Sequence, residues 1–339
     1  MIITIKENAS ESAIKALEDY VQSKNLMLEI AQGNNMRIAI VIGDTSLLDD
    51  NAIRSFDCVS DIKRLTHPYK LVSRDYQKED TVIDVCGIKI GQHEKVVMIG
   101  GPCSIESEET AIEIAQGVKE AGGTIFRGGA YKARTSPYSF QGLREKGLED
   151  LAKVRKIVKM PIVSEILSVE QLDEFVKNVD IIQVGARNMQ NYELLKALGK
   201  IDKPILLKRG YAATIEELLM AAEYILLGGN KKVILCERGI RTFAKATRNT
   251  LDISAVPYIK KVSHLPVIVD PSHGTGKRDL VEPMTLAAIA AGADGVMIEV
   301  HNNPQFAWSD GAQCVNFAEY NRIVEKARLV AKAVGREIY

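Results

Sequence analysis

Apolar and polar positions follow two different periods along this chain, and the change between them divides it. Over residues 1 to about 66, short runs rich in Ile, Val and Met (Met1–Lys6, Met27–Gln32, Arg37–Ile42 and Val59–Leu65) read as strands. Ala13, Ile14, Leu17 and Val21 fall on one helical stripe between the first two. Gly33-Asn34-Asn35 supplies a hairpin turn between the second and third. The resulting order, β-α-β-β-α-β, is the split βαβ of a small ferredoxin-like α+β domain. From His67 to about residue 95 the chain turns polar, carries Pro68 and ends in a short hairpin (Thr81–Cys86, Ile88–Ile90). This stretch reads as a linker.

From Val96 to Tyr339 the period changes again. Eight short, continuous apolar runs alternate with helical patterns. The runs are Val96–Cys103, Thr124–Arg127, Pro161–Ile166, Ile181–Arg187, Pro204–Arg209, Val233–Arg238, Pro266–Asp270 and Gly295–Val300. Parallel strands covered on both faces have this character, whereas one-sided strands alternate. The helical stretches, such as Ile215–Leu227 and Glu282–Ala291, carry their Leu, Ile and Ala on one stripe. Eight such units predict an α/β fold, a (β/α)8 TIM barrel over residues 96–339. An open doubly wound sheet would carry a Gly-rich nucleotide loop after its first strand, and Gly100-Gly101-Pro102-Cys103 is not that motif.

Composition narrows the function classes. Lys plus Arg and Asp plus Glu number 44 each, so nothing suggests a nucleic-acid or acidic-membrane partner. No apolar run approaches the roughly 18–20 residues that span a bilayer, and Met1-Ile-Ile-Thr-Ile-Lys6 lacks a signal-peptide pattern. Five cysteines without regular spacing argue against a disulfide framework and fit a reducing cytoplasm.

In a TIM barrel the site lies where the strands end. Those ends carry Cys103, Arg127 (followed by Lys132 and Arg134), Glu165, Arg187, Lys208, Arg238, Asp270 with His273, and Glu299. Exposed loop charges would explain any one of them, but not so many at one rim. Cys103, His273, Glu299 and Asp310 come from strands that become neighbours on closure, and a thiolate, an imidazole and two carboxylates suit Mn²⁺, Fe²⁺, Co²⁺ or Zn²⁺. His301 is an outside candidate ligand; Asp294 and Cys236 are decoys by the same logic. Arg127, Lys132, Arg134, Arg187, Lys208 and Arg238 form a cationic set that calls for small phosphorylated substrates. The loop Phe126–Gly142 concentrates this theme, adding Thr135 and Ser136 as hydroxyl donors, and Ser272–Lys277 offers a Gly-rich turn whose amides could serve a phosphate.

These residues also carry a resemblance. Gly100-Gly-Pro-Cys-Ser-Ile-Glu106, the 126–142 loop, Gly185-Ala-Arg-Asn188, Leu207-Lys-Arg-Gly210, Cys236-Glu-Arg-Gly239 and Val269-Asp-Pro-Ser-His-Gly274 look like the 3-deoxy-D-arabino-heptulosonate 7-phosphate (DAHP) synthases. The whole chain is most similar to the type I beta subtype, which has an N-terminal ferredoxin-like (ACT-like) regulatory domain. The resemblance implies condensation of phosphoenolpyruvate with erythrose 4-phosphate, the first step of the shikimate pathway to aromatic amino acids. It assigns the metal to Cys103, His273, Glu299 and Asp310. Phosphoenolpyruvate falls to Arg127, Arg187, Lys208 and Arg238, and erythrose 4-phosphate to Lys132, Arg134, Thr135 and Ser136. Lys208 is then the expected proton donor, with Cys103 and His273 catalytic through the metal. The resemblance also implies feedback by tyrosine or phenylalanine, held between the N-terminal domains of neighbouring subunits in a homotetramer. One departure stands out: Ala133 occupies a position where the family usually has proline. Two alternatives remain, 3-deoxy-D-manno-octulosonate 8-phosphate synthase, which has the same fold and donor, and a metabolite sensor with an inactive barrel.

Overall fold

The computed structural model describes residues 1–32, 37–64 and 68–339. They form two compact units, Met1–Glu79 and Asp80–Tyr339.

In the first unit, strands β1 (Ile2–Ile5), β2 (Met27–Gln32), β3 (Arg37–Ile42) and β4 (Val59–Lys63) make an antiparallel sheet in the order β2-β3-β1-β4. Ile3 stands opposite Ala39 on one side and Ile62 on the other. The helix Glu11–Ser23 starts where the Ser10 hydroxyl accepts the amide of Ala13, which satisfies one of the orphan donors of its first turn. Its Ile14, Leu17 and Val21 enter a core with Ile3, Ile5, Val41 and Ile53. The expected turn at Gly33-Asn34-Asn35 and the tail of the expected strand at Leu65 lie outside the described residues.

The stretch read as a linker divides between the units. Residues 68–79 belong with the first, where Lys70 donates to the carbonyl of Val41 at 2.8 Å and Lys63 pairs with Asp75 at 2.6 Å. Residues 80–95 belong with the second. Their hairpin, β5 (Ile83–Val85) and β6 (Ile88–Ile90), buries Ile83, Val85 and Ile90 against Val97, Ile125, Ile181, Leu206 and Met297.

The second unit is a closed barrel of eight parallel strands: β7 (Val97–Gly101), β8 (Ile125–Arg127), β9 (Ile162–Ile166), β10 (Ile181–Val184), β11 (Ile205–Lys208), β12 (Val233–Glu237), β13 (Val267–Val269) and β14 (Gly295–Glu299). Each expected run contains one of them. The runs opened by Pro161, Pro204 and Pro266 become strands one residue later, since proline has no N–H for the ladder. The run to Arg187 stops at Val184 and gives way to a turn at Ala186–Asn188, and the helix expected from Glu282 begins earlier, at Arg278. The hairpin seals the end where the strands begin. Asp180, His264 and Asp294, each just ahead of a strand, meet Cys86, Thr81 and Arg336 there. At the opposite end Gly101 (φ +147°) lies so near β8 that a Cβ would stand 2.0 Å from the carbonyl oxygen of Arg127. Only glycine lets β7 end against Arg127 and present Cys103.

Candidate active site

Cys103, two residues past β7, is buried. Its Sγ lies 3.2 Å from Oδ2 of Asp310 and accepts from Nζ of Lys132 at 3.0 Å. Burial, then the charge of Glu299, pushes the thiol up to about 12. Sγ and one carboxylate oxygen each from Glu299 and Asp310 lie within 4.8 Å of one another. Asp310 sits at φ +53° in the loop after β14. Burial opposes its charge, but His273 and the Cys103 hydrogen bond hold its carboxyl down at about 2.

His273 rides on the short helix Pro271–Thr275, which Asp270 caps by accepting the amide of His273 at 2.9 Å. Asp270 Oδ2 also faces Nδ1 of His273 at 2.7 Å and pairs with Nζ of Lys208. A carboxylate can only accept, so the imidazole places its proton on Nδ1, and burial pushes the ring below its usual range, toward the neutral form. Nε2 is then a lone pair, 3.3 Å from Oε1 of Glu299. That oxygen is buried and, among the described residues, accepts no hydrogen bond, although Nη1 of Arg127 lies 3.3 Å away, while Oε2 takes the side-chain amide of Gln313. Two acceptors facing each other with no proton between them, beside a thiol and a second carboxylate, fit a divalent cation by charge and donor type.

The cations surround this cluster. Arg127 is buried at the end of β8, with Nη1 3.3 Å from Glu299 and Nη2 donating to the carbonyl of Cys103 at 3.4 Å. Among the described residues, its Nε and Nη1 have no hydrogen-bond partner. Lys132 turns inward to Cys103, whereas Arg134, Thr135 and Ser136 line a cavity of about 260 Å³ together with Lys132, Ala133, Arg187, His273 and Asp310. Arg238, only 2 % exposed, donates one long hydrogen bond of 3.4 Å to the carbonyl of Gly239. The fold thus brings the expected site residues to one rim, where Cys103, Arg127, Lys208, Arg238 and Glu299 are buried and stand outside the lining of the cavity itself.

The remaining candidates go elsewhere. Nδ1 of His301 accepts the amide of Asn303, and its Nε2 faces Glu106 at 3.4 Å. Asp294 pairs with Lys260 and Arg336 at the closed end, and Cys236 packs in the apolar barrel interior. The amides of His273, Gly274, Gly276 and Lys277 are taken by acceptors within their own turn, so that turn offers a phosphate little. Other rim residues carried no signal in the sequence. Arg248 reaches Gln313 at 3.1 Å and Asp310 at 3.5 Å from an irregular loop, and Tyr211 follows a strand end without any charge to mark it. Asp270 is visible as a strand-end acid, but its double contact exists only in the fold.

Comparison with known proteins agrees with this architecture. The family model described as DAHP synthetase I family matches residues 73–334, and that of the DAHP synthase ferredoxin-like domain matches residues 1–67. The chain is 49 % identical over 338 residues to phospho-2-dehydro-3-deoxyheptonate aldolase of Thermotoga maritima, covering 100 % of both proteins. A 2-dehydro-3-deoxyphosphooctonate aldolase of Desulfotalea psychrophila is 33 % identical over 267 residues, 73 % of this chain and 94 % of that protein. The crystal structure of the Thermotoga maritima DAHP synthase superposes with a TM-score of 0.80 at 48 % identity, covering 100 % of this chain and 99 % of that one. With both of its parts matched over nearly their full lengths, the chain belongs to the DAHP synthetase I family and carries that family's ferredoxin-like domain.

Proposed function

We propose that this chain is a metal-dependent DAHP synthase, joining phosphoenolpyruvate to erythrose 4-phosphate to give DAHP and inorganic phosphate at the entry to the shikimate pathway. The observation that carries the reading is Arg127: a buried guanidinium beside Glu299 whose Nε and Nη1, among the described residues, donate no hydrogen bond, next to the thiol–carboxylate cluster. Buried N–H groups without an acceptor are costly, and a bound anion would supply one.

Arg127, Arg187, Lys208 and Arg238 would hold the phosphate and carboxylate of phosphoenolpyruvate, while Lys132, Arg134, Thr135 and Ser136 receive the acceptor's phosphate. Held in this way, C3 of the donor faces the aldehyde carbon, and much of the entropic barrier is met by binding. A C–C bond forms, the aldehyde oxygen takes a proton and becomes a hydroxyl, and water adds at C2. The C2–O bond to phosphate then breaks, leaving a ketone and releasing phosphate. Lys208, hydrogen-bonded to Asp270, is the proposed proton donor. Cys103, His273, Glu299 and Asp310 would hold Mn²⁺, Fe²⁺, Co²⁺ or Zn²⁺, which when bound supplies Lewis-acid polarisation of the aldehyde.

The ferredoxin-like domain supports feedback by tyrosine or phenylalanine in a homotetramer, acting in the cytoplasm. No helix among the described residues is long and apolar enough to cross a membrane.

Initial rates with phosphoenolpyruvate and either erythrose 4-phosphate or arabinose 5-phosphate test the reading, before and after chelation and metal add-back. Faster turnover with erythrose 4-phosphate, lost on chelation and restored by metal, is expected. Preference for arabinose 5-phosphate would reassign the enzyme, and phosphate release that survives chelation would remove the metal from the mechanism.

A further inference from the structure

Three guanidiniums at the rim converge on one aromatic ring. The Cζ atoms of Arg238 and Arg241 each lie 4.7 Å from the centroid of the Tyr211 ring, and that of Arg187 lies at 5.3 Å. The topology explains the meeting. Arg187 follows β10, Tyr211 follows β11, and Arg238 and Arg241 follow β12, and β11 lies between β10 and β12 in the barrel. Tyr211 therefore stands at the middle of three neighbouring strand ends, reachable from both sides. The chain also ties Arg241 to it, for the amide of Arg241 donates to the carbonyl of Tyr211 at 2.6 Å.

Among the described residues, none of the three arginines forms an ion pair with a carboxylate. This contrasts with Arg209, one residue before Gly210, which is clamped by Glu237 at 2.9 Å and Asp252 at 3.0 Å. Like charges brought together repel, and exposed arginines such as Arg187 and Arg241 sample many rotamers unless something restrains them. The negative face of an aromatic ring supplies that restraint without occupying the N–H groups that an anion must use. A carboxylate in the same place would neutralise them and compete with the ligand.

We propose that Tyr211 is a positioning residue, whose ring gathers Arg187, Arg238 and Arg241 into a preformed cradle for the anionic groups of phosphoenolpyruvate. The inference deepens the proposed function and rests on its assignment of the donor to Arg187 and Arg238. It adds Arg241 to the cradle and makes the ring, not the hydroxyl, the working part.

Steady-state kinetics of the full-length enzyme, with each substrate varied in turn, read the effect. Tyr211→Leu is expected to raise the KM for phosphoenolpyruvate about 10-fold while kcat stays within about threefold, and Tyr211→Phe to restore KM to within about threefold. A Phe variant as impaired as Leu, a silent Leu variant, or a rise confined to the KM for erythrose 4-phosphate would each overturn the proposal. If Tyr211→Leu does not fold, phenylalanines with one, two and three ring fluorines keep the shape and drain the ring face. Phosphoenolpyruvate affinity falling stepwise along that series supports the proposal, and a flat series overturns it. Arg187→Lys and Arg238→Lys, measured in parallel, separate the two levels. If both leave the KM for phosphoenolpyruvate unchanged, the donor assignment fails and the proposal with it. If they raise it while the Tyr211 series is flat, the proposal alone fails.

Discussion

The two ends of the barrel use buried charge in opposite ways. At the closed end, Asp294 receives Lys260 at 2.7 Å, Arg336 at 3.2 Å and the backbone amide of Val267 at 2.9 Å, so the acid and both cations have partners within the protein. At the open end, Arg127 and Glu299 face each other at 3.3 Å, yet among the described residues Nε and Nη1 of Arg127 donate no hydrogen bond, Oε1 of Glu299 accepts none, and Arg238 forms no ion pair. Both ends are buried, so solvent does not account for the difference. At the closed end each charge is hydrogen-bonded to its counter-charge, with Nε of Arg336 the one buried donor left over there among the described residues, and the charge serves the fold. Where several hydrogen-bonding groups stay open and are aimed together, the chain has left room for something that is not protein.

The sharpest way to break this comparison is at the sulfur. Cys103→Ala should lower turnover on the order of 1000-fold while leaving the thermal midpoint nearly unchanged, as should exhaustive chelation of the parent. Activity retained by the variant would mean that the unpaired groups at the rim await no metal. At the closed end the signature should invert. Asp294→Ala leaves Lys260 and Arg336 buried without their anion, and is expected to cost about 3 kcal/mol in urea unfolding with kcat/KM preserved in the folded fraction. Unchanged stability would dissolve the contrast.

Asp270 sits on the boundary, since it is fully paired yet touches two site residues. Asp270→Asn should weaken metal binding about 10- to 100-fold, read by titrating Co²⁺ into the apo protein and following the thiolate charge-transfer band. A normal titration would make Asp270 part of the scaffold alone. The smallest effect is expected at Ala133. Among the described residues its amide donates no hydrogen bond, so proline there removes none. Ala133→Pro should lower the KM for erythrose 4-phosphate about threefold with kcat unchanged. A raised KM would show that the loop must flex to bind.

Much of this was legible along the chain. Eight apolar runs mark eight strands because a strand covered on both faces must be apolar throughout, and residues just past such runs land on one rim by barrel topology alone. Cys103, Arg127, Lys208, His273 and Glu299 could therefore be gathered before any contact was known. The linker was less legible. Its polar composition hides that Lys70 and Asp75 bond back to the first unit while Ile83, Val85 and Ile90 plug the barrel. Three apolar residues in a short hairpin leave too weak a periodic signal to assign them to a partner.

What the sequence determined by itself is which residue types stand at each strand end, because local periodicity and chain order suffice for that. Tertiary structure alone decided which of those groups are paired and which are left open. Asp270 meets both Lys208 and His273, Gln313 braces Glu299, and Tyr211 gathers three arginines from neighbouring strands. The contacts of Lys208 with Asp270 and of Tyr211 with its three arginines join residues from different strand ends, and close only when the barrel closes. For that reason the chemistry available at the rim could be read from the chain, but its open hydrogen-bonding groups could not.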